Sequence, residues 1–458
     1  MSIATLLLEI TLFNGAEWTD CDYNTWLDCD YNTWPQTDVI IRASQMGFAG
    51  TDGYWNQNIL AITPLQFRIS NLYGGQVEFS FGDVTLALDT FDQAGVWPPP
   101  ESADALVIYA DENGDKHELF SGVLYRQNLS RDGILYQFFG AYSDKMLLDE
   151  GEAYTADEGD GDDVPLPRAF GAVEYMKAVR LPDIDDENGY QAYHHGYMAG
   201  DVGTDWHVYD DGVEIDGNVA VADASTFQLS VQPVGEVTVS GAGAQDTIAE
   251  VITWAGQRAG LSVDTTLASA FTISHWADSQ QPLMDFMDQI SAYACHMFYV
   301  AAGVLYLIDM AADNFSDIEL TENEFFPASV AYPDPVKMLK STWVTRESVE
   351  ETIGKYVKDT EHEASIPGMP FGNEQTIEPY QTKVSDVKAA LTAISGYLSS
   401  PRWETAITMD GSFPVPGQKI LAMDESMGKP LSIAIRARDI EYDFDGRKIT
   451  ISGDGTIS

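Results

Sequence analysis

The sequence predicts a mainly β protein with a small α+β insertion, and three features of the chain carry that prediction. Short segments of alternating apolar and polar residues recur along most of it, separated by turn-forming Gly, Asp and Asn residues. Two amphipathic helical segments interrupt this pattern between residues 242 and 330. Apolar residues make up 45% of the 458 residues, which is enough to form real cores and argues against a disordered chain.

Residues 1–150 are predicted to form an N-terminal β domain. Candidate strands lie at residues 5–13, 39–43, 67–70, 76–81 and 134–139. A hairpin is predicted where residues 106–110 and 117–125 flank an Asn-Gly turn. Many short strands separated by turn clusters are typical of a barrel or a sandwich.

An acidic, Gly-rich break at residues 149–167 separates this domain from a second β region, residues 151–241. In the second region a hairpin is predicted around Asp211-Gly212. Two further strands, at residues 227–231 and 237–240, flank a turn that begins at Pro233.

Residues 242–330 are predicted to form the α+β insertion. Two helices are expected, at residues 246–260 and 282–294, because apolar residues recur there at helical spacing. Asp246 is the expected N-cap of the first helix and Gly260 its C-terminal glycine. A hairpin with Gly303 in its turn follows at residues 298–308.

Residues 331–458 are predicted to form a C-terminal β-barrel domain with one helix. The helix is expected at residues 384–399, where Val387, Leu391, Ile394 and Leu398 align on one face. The expected strands lie at residues 403–409, 419–423, 433–442 and 447–452. The last two form a hairpin.

The charge excludes two classes of partner. Lys and Arg number 24 against 72 Asp and Glu, a formal net charge of −48. Gripping duplex DNA or an anionic membrane surface requires clustered cations. The first residues carry Glu9 within their apolar run and lack a basic segment, so we expect no signal peptide. No apolar run has the roughly 18–20 residues needed to span a bilayer.

Three acidic segments and three histidines are the candidate metal ligands of the sequence. The acidic segments 111–115, 157–163 and 183–188 offer oxygen ligands for Ca²⁺, but they lack the EF-hand order and are expected to be solvated turns and loops. His194, His195 and His207 offer nitrogen ligands for Zn²⁺. Tyrosines surround the His pair, so a packed or interface patch is expected instead. We therefore expect no metal and no organic cofactor.

No catalytic motif stands out. Cys295 precedes His296 but ends the apolar stripe of a helix, so core packing is expected. A G-x-S-x-G elbow is missing from the sequence, and the segment 241–243 lacks the residues of a phosphate loop. We expect a protein that is not an enzyme, although a glycosidase pair among so many carboxylates stays open.

An exact tandem repeat is the most unusual feature of the sequence. Residues 20–26 (DCDYNTW) recur as residues 28–34, a period of eight. In a strand, this even period would present the same face twice, aligning Trp26 with Trp34 and Tyr23 with Tyr31 as an aromatic ladder. One interpretation is an aromatic rim that contacts a neighbouring subunit or a glycan. The other is a recent duplication tolerated in a loop. Cys21 and Cys29 lie within the copies, and three cysteines give no disulfide framework.

The order of several sequence pieces resembles the central tail hub, or baseplate hub, proteins of tailed bacteriophages, including siphophage tail-tip proteins. The pieces are residues 81–86 with 119–123, residues 165–173, residues 208–212 with 227–238, the helix pair with its Gly303 hairpin, and residues 413–420. The resemblance covers most of the chain.

The resemblance implies two tail-tube-like β-barrels with an α+β insertion, and a homotrimer whose six barrels match a hexameric tube. It implies a structural virion protein at the tail tip, assembled in the host cytoplasm. The implied partners are a distal tail or tail tube protein, the tape measure protein, and tail fibre or receptor-binding proteins. DNA would pass through the ring without specific binding. The alternatives are a virion-associated carbohydrate-cleaving β-protein and a carbohydrate-binding β-protein.

Overall fold

The computed structural model describes most of the chain. The described residues are 5–12, 39–71, 73–80, 82–92, 94–111, 113–140, 165–181, 191–279, 281–301, 304–311, 318–320, 329–331, 335–368, 370–379, 383–400, 402–408, 413–424, 431–444 and 447–457. Strands predominate along the chain and helices are few, so the prediction of a mainly β protein is confirmed.

The N-terminal part is composed of strands and one short helix. They are β1 (Thr5–Leu12), β2 (Val39–Ser44), β3 (Phe48–Gly50), β4 (Gly53–Gln57), β5 (Ile59–Ile62), β6 (Leu65–Asn71), β7 (Gly74–Ser80), β8 (Asp83–Leu86), helix α1 (Asp89–Asp92), β9 (Ser102–Ala110), β10 (Lys116–Ser130) and β11 (Gly133–Gly140). Nine of the strands form one sheet in the order β3-β4-β2-β1-β9-β10-β11-β8-β5. Strands β9 and β10 pair antiparallel, which confirms the hairpin predicted around the Asn-Gly turn.

The two ends of this sheet are connected by strands β4 and β5, which are separated only by Asn58. Strand β4 pairs with β2 and strand β5 pairs with β8, so one run of chain joins the two ends of the sheet. The Asn58 N–H donates to the Ser44 carbonyl at 3.0 Å, and the Ala87 N–H donates to the Asn58 carbonyl at 2.8 Å. The N-terminal sheet therefore curves into a half-barrel whose two ends are joined by this run of chain.

Alternation along β1 separates the inside of this half-barrel from its outside. Leu6, Leu8 and Ile10 are fully buried in the main core. Leu7 points to the other side, where Trp55 and four other apolar residues cover it in a small separate core. The hairpin β3–β4 thus acts as a cover over the outer face of β1 and β9.

The central region forms two small sheets. Its elements are β12 (Arg168–Phe170), β13 (Ala172–Lys177), β14 (Val179–Arg180), β15 (Gln191–His194), β16 (His207–Asp210), β17 (Val213–Glu214), a 3₁₀ turn (Asp216–Asn218), β18 (Val219–Ala222), β19 (Thr226–Leu229) and β20 (Val237–Ala242). The sheet orders are β13-β20-β16-β17 and β14-β15-β19-β18, and the two share a core around Trp206 and Phe227. The predicted strands at 227–231 and 237–240 therefore exist but belong to different sheets.

The α+β insertion follows the predicted order. It comprises α2 (Ile248–Arg258), β21 (Ser262–Leu267), β22 (His275–Ala277), α3 (Leu283–Tyr293), β23 (His296–Ala301) and β24 (Val304–Asp309). The apolar stripes of both helices are buried together. The predicted N-cap is wrong by one residue. Thr247 caps α2, because its Oγ1 accepts the Glu250 N–H at 3.3 Å, whereas Asp246 lies just outside the helix.

The C-terminal part contains long strands and one helix. Its elements are β25 (Ile318–Leu320), β26 (Ser329–Ala331), β27 (Val336–Glu351), β28 (Gly354–Pro367), β29 (Asn373–Thr376), α4 (Val384–Leu398), β30 (Arg402–Thr408), β31 (Lys419–Asp424), β32 (Leu431–Asp443) and β33 (Lys448–Ile457). The predicted final hairpin is β32–β33. Strands β27 and β28 form a long hairpin that the sequence did not define.

A second large sheet contains strands from the N-terminal part, from the α+β insertion and from the C-terminal part. Its order is β21-β24-β23-β7-β6-β32-β33-β30-β26, with β31 paired to β32 and β25 paired to β31. Strands β6 and β7 thus leave the N-terminal half-barrel and pair with strands of the insertion and of the C-terminal part. One apolar core runs from Leu6 to Ile451. The boundaries at residues 150, 241 and 330 stay predictions.

Candidate functional site

The aromatic repeat lies outside the described residues. This holds for Tyr23, Trp26, Tyr31 and Trp34, so the proposed interface there stays a prediction. The acidic segments 157–163 and 183–188 also lie outside the described residues.

The structure assigns His194 and His195 to the core. Each is about 1% exposed. The His195 Nδ1 accepts the Met198 N–H at 3.1 Å, and its Nε2 lies 3.1 Å from the Asp223 carbonyl, to which it donates. Burial lowers the pKa of His195, so the ring is neutral at neutral pH. Both of its nitrogens are engaged, and His195 is not available as a zinc ligand alongside His207.

Two other candidates also have structural roles. The Asp111 Oδ1 accepts the N–H groups of Asn113 and Asp115 at 2.8 and 2.9 Å, as turn propensity predicts. Burial opposes ionisation of Asp111, but these backbone hydrogen bonds hold its pKa below the ordinary value. Cys295 is buried, and burial raises the pKa of its thiol to about 12. It is therefore a protonated core residue and not an activated nucleophile.

The densest group of basic residues in the sequence is Arg436, Arg438, Arg447 and Lys448, and two of its arginines are paired with acid. Arg438 is 3% exposed, and its Nε lies 2.7 Å from Asp454 Oδ1. Arg436 NH1 lies 3.6 Å from the other oxygen of the same carboxylate. Because both guanidinium groups are committed to Asp454, they do not form an open surface for phosphates.

An open cleft of about 410 Å³ lies between the central sheets and the long hairpin β27–β28. Its lining residues are Met176, His275, Trp276, Asp278, Trp343, Val344, Arg346, Asp359 and Pro379. They come from five separated stretches of the chain. No local pattern in the sequence indicated that they would meet, and the notable sequence signals lay elsewhere.

A network of opposite charges lines one side of the cleft. The Arg346 Nε lies 3.3 Å from Asp359 Oδ1, and a second guanidinium nitrogen contacts Glu236. Lys177 Nζ lies 3.7 Å from the same Glu236 side chain. The network ties the central sheets to the long hairpin. Asp359 is therefore engaged by a guanidinium as part of this network.

The other side of the cleft is apolar and aromatic. The His275 ring stacks near those of Phe170 and Phe286, with centroid distances of 6.4 and 5.9 Å. Burial lowers the pKa of His275 to about 4. The ring is therefore neutral at physiological pH, and with Trp276 it presents a flat, uncharged wall. The cleft can hold a polar ligand through its charges and stack it on this wall.

No family model matches the sequence, and no curated protein matches it. Among solved structures, the chain is similar to the 43 kDa tail protein of prophage MuSo2 from Shewanella oneidensis. The identity is 9%, with 99% of this chain and 98% of that chain covered and a TM-score of 0.44.

Two further solved structures are similar to parts of the chain. A tail protein from Neisseria meningitidis MC58 is 8% identical, over 85% of this chain and 90% of that one, with a TM-score of 0.40. A chain from the virion of a native gene transfer agent particle is 10% identical, over 66% and 89%, with a TM-score of 0.37. Identities and TM-scores this low do not establish what the chain does.

Among the described residues, none of the helices combines the length and the apolar character needed to cross a bilayer.

Proposed function

We propose that this protein is a structural component of a phage virion, the hub at the tail tip that joins the tail tube to the tip and its fibres. The observation that carries the proposal is the arrangement of two large β-sheets on one core. One of them curves into a half-barrel, and strands β6 and β7 of the same chain segment belong to the other. A subunit of this kind contributes two tube-like units, so three copies supply the six units of a tube ring.

The charge of the chain supports a passage for DNA. Acidic residues outnumber basic residues 72 to 24, and two arginines of the densest basic group, Arg436 and Arg438, are paired with Asp454. A channel lined with carboxylates repels phosphates, so DNA would slide through without sticking. The proposed neighbours are the distal tail or tail tube protein, the tape measure protein, and the fibre or receptor-binding proteins.

The oligomeric state tests this proposal. The purified chain should form a homotrimer, measured by analytical ultracentrifugation and native mass spectrometry, with electron micrographs showing a ring around a central channel. A monomer at all concentrations, and no ring in the presence of a tail tube protein, would contradict the proposal.

A carbohydrate-binding role is the second candidate, and the cleft beside Trp276 favours it. Sugars stack on flat aromatic walls and accept hydrogen bonds from charged groups such as Arg346. Binding is favoured over cleavage because Asp359 is ion-paired. Pull-down with bacterial cell-wall polysaccharides tests it. Binding by the wild-type chain that Trp276→Ala abolishes would support this role, and no binding by either would exclude it.

A further inference from the structure

The hairpin β16–β17 brings three metal-binding side chains to one face. Asp211 and Gly212 form its turn, with positive φ angles of 49° and 83°, as a two-residue hairpin turn of type I′ requires. The register pairs Tyr209 with Glu214 and Asp210 with Val213. Continued by two residues, the same register places His207 opposite Asp216. Because side chains alternate along a strand, positions 207, 214 and 216 share a face.

The three side chains converge. The His207 Nδ1 lies 2.7 Å from Asp216 Oδ2. The other oxygen of that carboxylate accepts the Val208 N–H at 2.6 Å, which fixes its orientation. Glu214 supplies the third donor, and the three donor atoms all lie within 4.8 Å of one another. Within the part of the chain that the structure describes, this is the grouping of such donors close enough to hold one ion.

We propose that His207, Glu214 and Asp216 bind a divalent transition-metal ion, with Zn²⁺ as the best fit. An imidazole nitrogen selects a transition metal over Ca²⁺ or Mg²⁺, which take oxygen ligands. Two carboxylates neutralise the charge of the ion. Three protein ligands leave the fourth tetrahedral position to water.

The geometry requires only small movements. Zn–N and Zn–O bonds of about 2.0–2.2 Å place tetrahedral ligand atoms about 3.4 Å apart. The His207–Asp216 contact has to open slightly, and the side chain of Glu214, which is exposed, has to move inward. With the metal on Nδ1, the remaining ring proton lies on Nε2, and the metal bonds replace the hydrogen bond between His207 and Asp216.

The site lies where the central sheets contact the long hairpin. The Gly212 carbonyl, in the turn of the same hairpin, accepts the Ser348 hydroxyl at 3.2 Å. A metal ion at the base of β16–β17 would therefore stiffen the turn that packs against β27–β28. This consequence follows from the contacts alone and is independent of the proposed tail function.

Metal titration tests the proposal in the full chain. Isothermal titration with Zn²⁺ is performed with millimolar Mg²⁺ present, which saturates weak carboxylate sites. Cys21 and Cys29 are replaced by serine in every variant, so that their thiols do not bind the ion. We expect one equivalent of Zn²⁺, and an affinity at least tenfold weaker in His207→Gln and in Glu214→Gln. Glu118→Gln, which removes an exposed carboxylate of the half-barrel, is the matched control and should leave the affinity unchanged.

Spectroscopy supplies a second, independent measurement. Co²⁺ at the site should give the visible absorption bands of a four- or five-coordinate ion, and His207→Gln should abolish them. Circular dichroism shows whether each variant is folded. If His207→Gln does not fold, Glu214→Gln still tests the proposal. The proposal is overturned if the chain binds no Zn²⁺, or if both ligand variants bind it as tightly as the control.

Discussion

The Arg438 guanidinium lies between the C-terminal sheet and the hairpin β23–β24. Besides its ion pair with Asp454, it donates to the Met310 carbonyl at 2.5 Å and lies 5.2 Å from the Tyr397 ring centre. A single side chain thus connects β32 to the insertion and to α4. The buried charge is stabilised only while these partners are in place.

Arg438→Ala should strongly destabilise the protein. Removing one partner of a buried ion pair typically costs about 3–5 kcal/mol, and here Asp454 would keep only its longer contact of 3.6 Å with Arg436. Lys355→Ala removes an exposed pair with Glu350, 3.2 Å apart, and should cost about 1 kcal/mol or less. Urea-induced unfolding measures both. Equal losses of stability would show that Arg436 alone compensates Asp454.

His275 should make stability depend on pH. Its folded-state pKa of about 4 is lower than the ordinary value, so the unfolded chain binds a proton that the folded chain does not. Stability is complete above roughly pH 6.5 and falls as the pH decreases toward 4, by about 2 kcal/mol at pH 5.

The matched measurement compares wild type with His275→Gln between pH 5 and 7. The variant should lose part of the pH dependence, because glutamine does not titrate. His117→Gln, a partly exposed imidazole on β10, controls for the loss of a ring. His195 and His296 also have lowered pKa values, so some dependence should remain in the variant. An unchanged slope would mean that His275 binds its proton equally well in the folded and the unfolded chain.

At the scale of elements, sequence patterns correctly predicted those helices and strands that bury only one face. Helices α2, α3 and α4 were predicted to within two residues at each end, because each buries a single apolar stripe. The hairpins with Asn-Gly or Asp-Gly turns were found for a similar reason, since the turn residues fix the register.

The hairpin β27–β28 escaped prediction because most of its length is exposed on both faces. Its outer half carries charged residues such as Arg346, Glu347, Lys355 and Asp359 without apolar alternation. Its stability comes from backbone pairing along fourteen residue pairs, which no side-chain pattern reports. The cleft was not predictable either, since its residues meet only through long-range packing. The grouping of His207, Glu214 and Asp216 could have been predicted in principle, because the predicted Asp-Gly turn defines the register of the hairpin β16–β17.

The N-cap of α2 gives a test at this scale. Thr247→Ala should destabilise the protein by about 1 kcal/mol, because the Glu250 N–H loses its acceptor. Asp246→Ala should be neutral or slightly stabilising. Burial and then the neighbouring Glu250 raise the pKa of Asp246, which shows that its charge is not favoured there. Thermal unfolding compares the two variants. A larger loss of stability in Asp246→Ala than in Thr247→Ala would show that Asp246 is the N-cap.

For the whole molecule, the aromatic repeat gives a prediction about assembly. If Tyr23, Trp26, Tyr31 and Trp34 form a rim between subunits, replacing Trp26 and Trp34 by alanine removes large apolar contacts from the interface. The double variant should dissociate at higher concentrations than wild type in sedimentation experiments, with an unchanged circular dichroism spectrum. Unchanged assembly would favour the interpretation as a tolerated duplication.

The charge balance leads to the last prediction, that the chain does not bind duplex DNA, although DNA would pass through the proposed hub. Binding requires several cations close to the phosphates. Here 24 basic residues face 72 acidic ones. Within the densest basic group, Arg436 and Arg438 are held by Asp454. A hub of three such chains would therefore present an anionic wall to the duplex.

Each carboxylate–phosphate pair repels by only about 1 kcal/mol at 4 Å in water, and salt screens this over roughly 8 Å. Summed around a ring of identical subunits, the repulsion still opposes adhesion. A gel-shift assay at low salt is the most demanding test, because attraction to any basic groove is strongest there. We expect no shift with duplex DNA of any sequence, and a basic DNA-binding protein of similar mass serves as the positive control. A shift that disappears as salt is added would reveal a basic groove formed on assembly, and the channel would then hold DNA instead of repelling it.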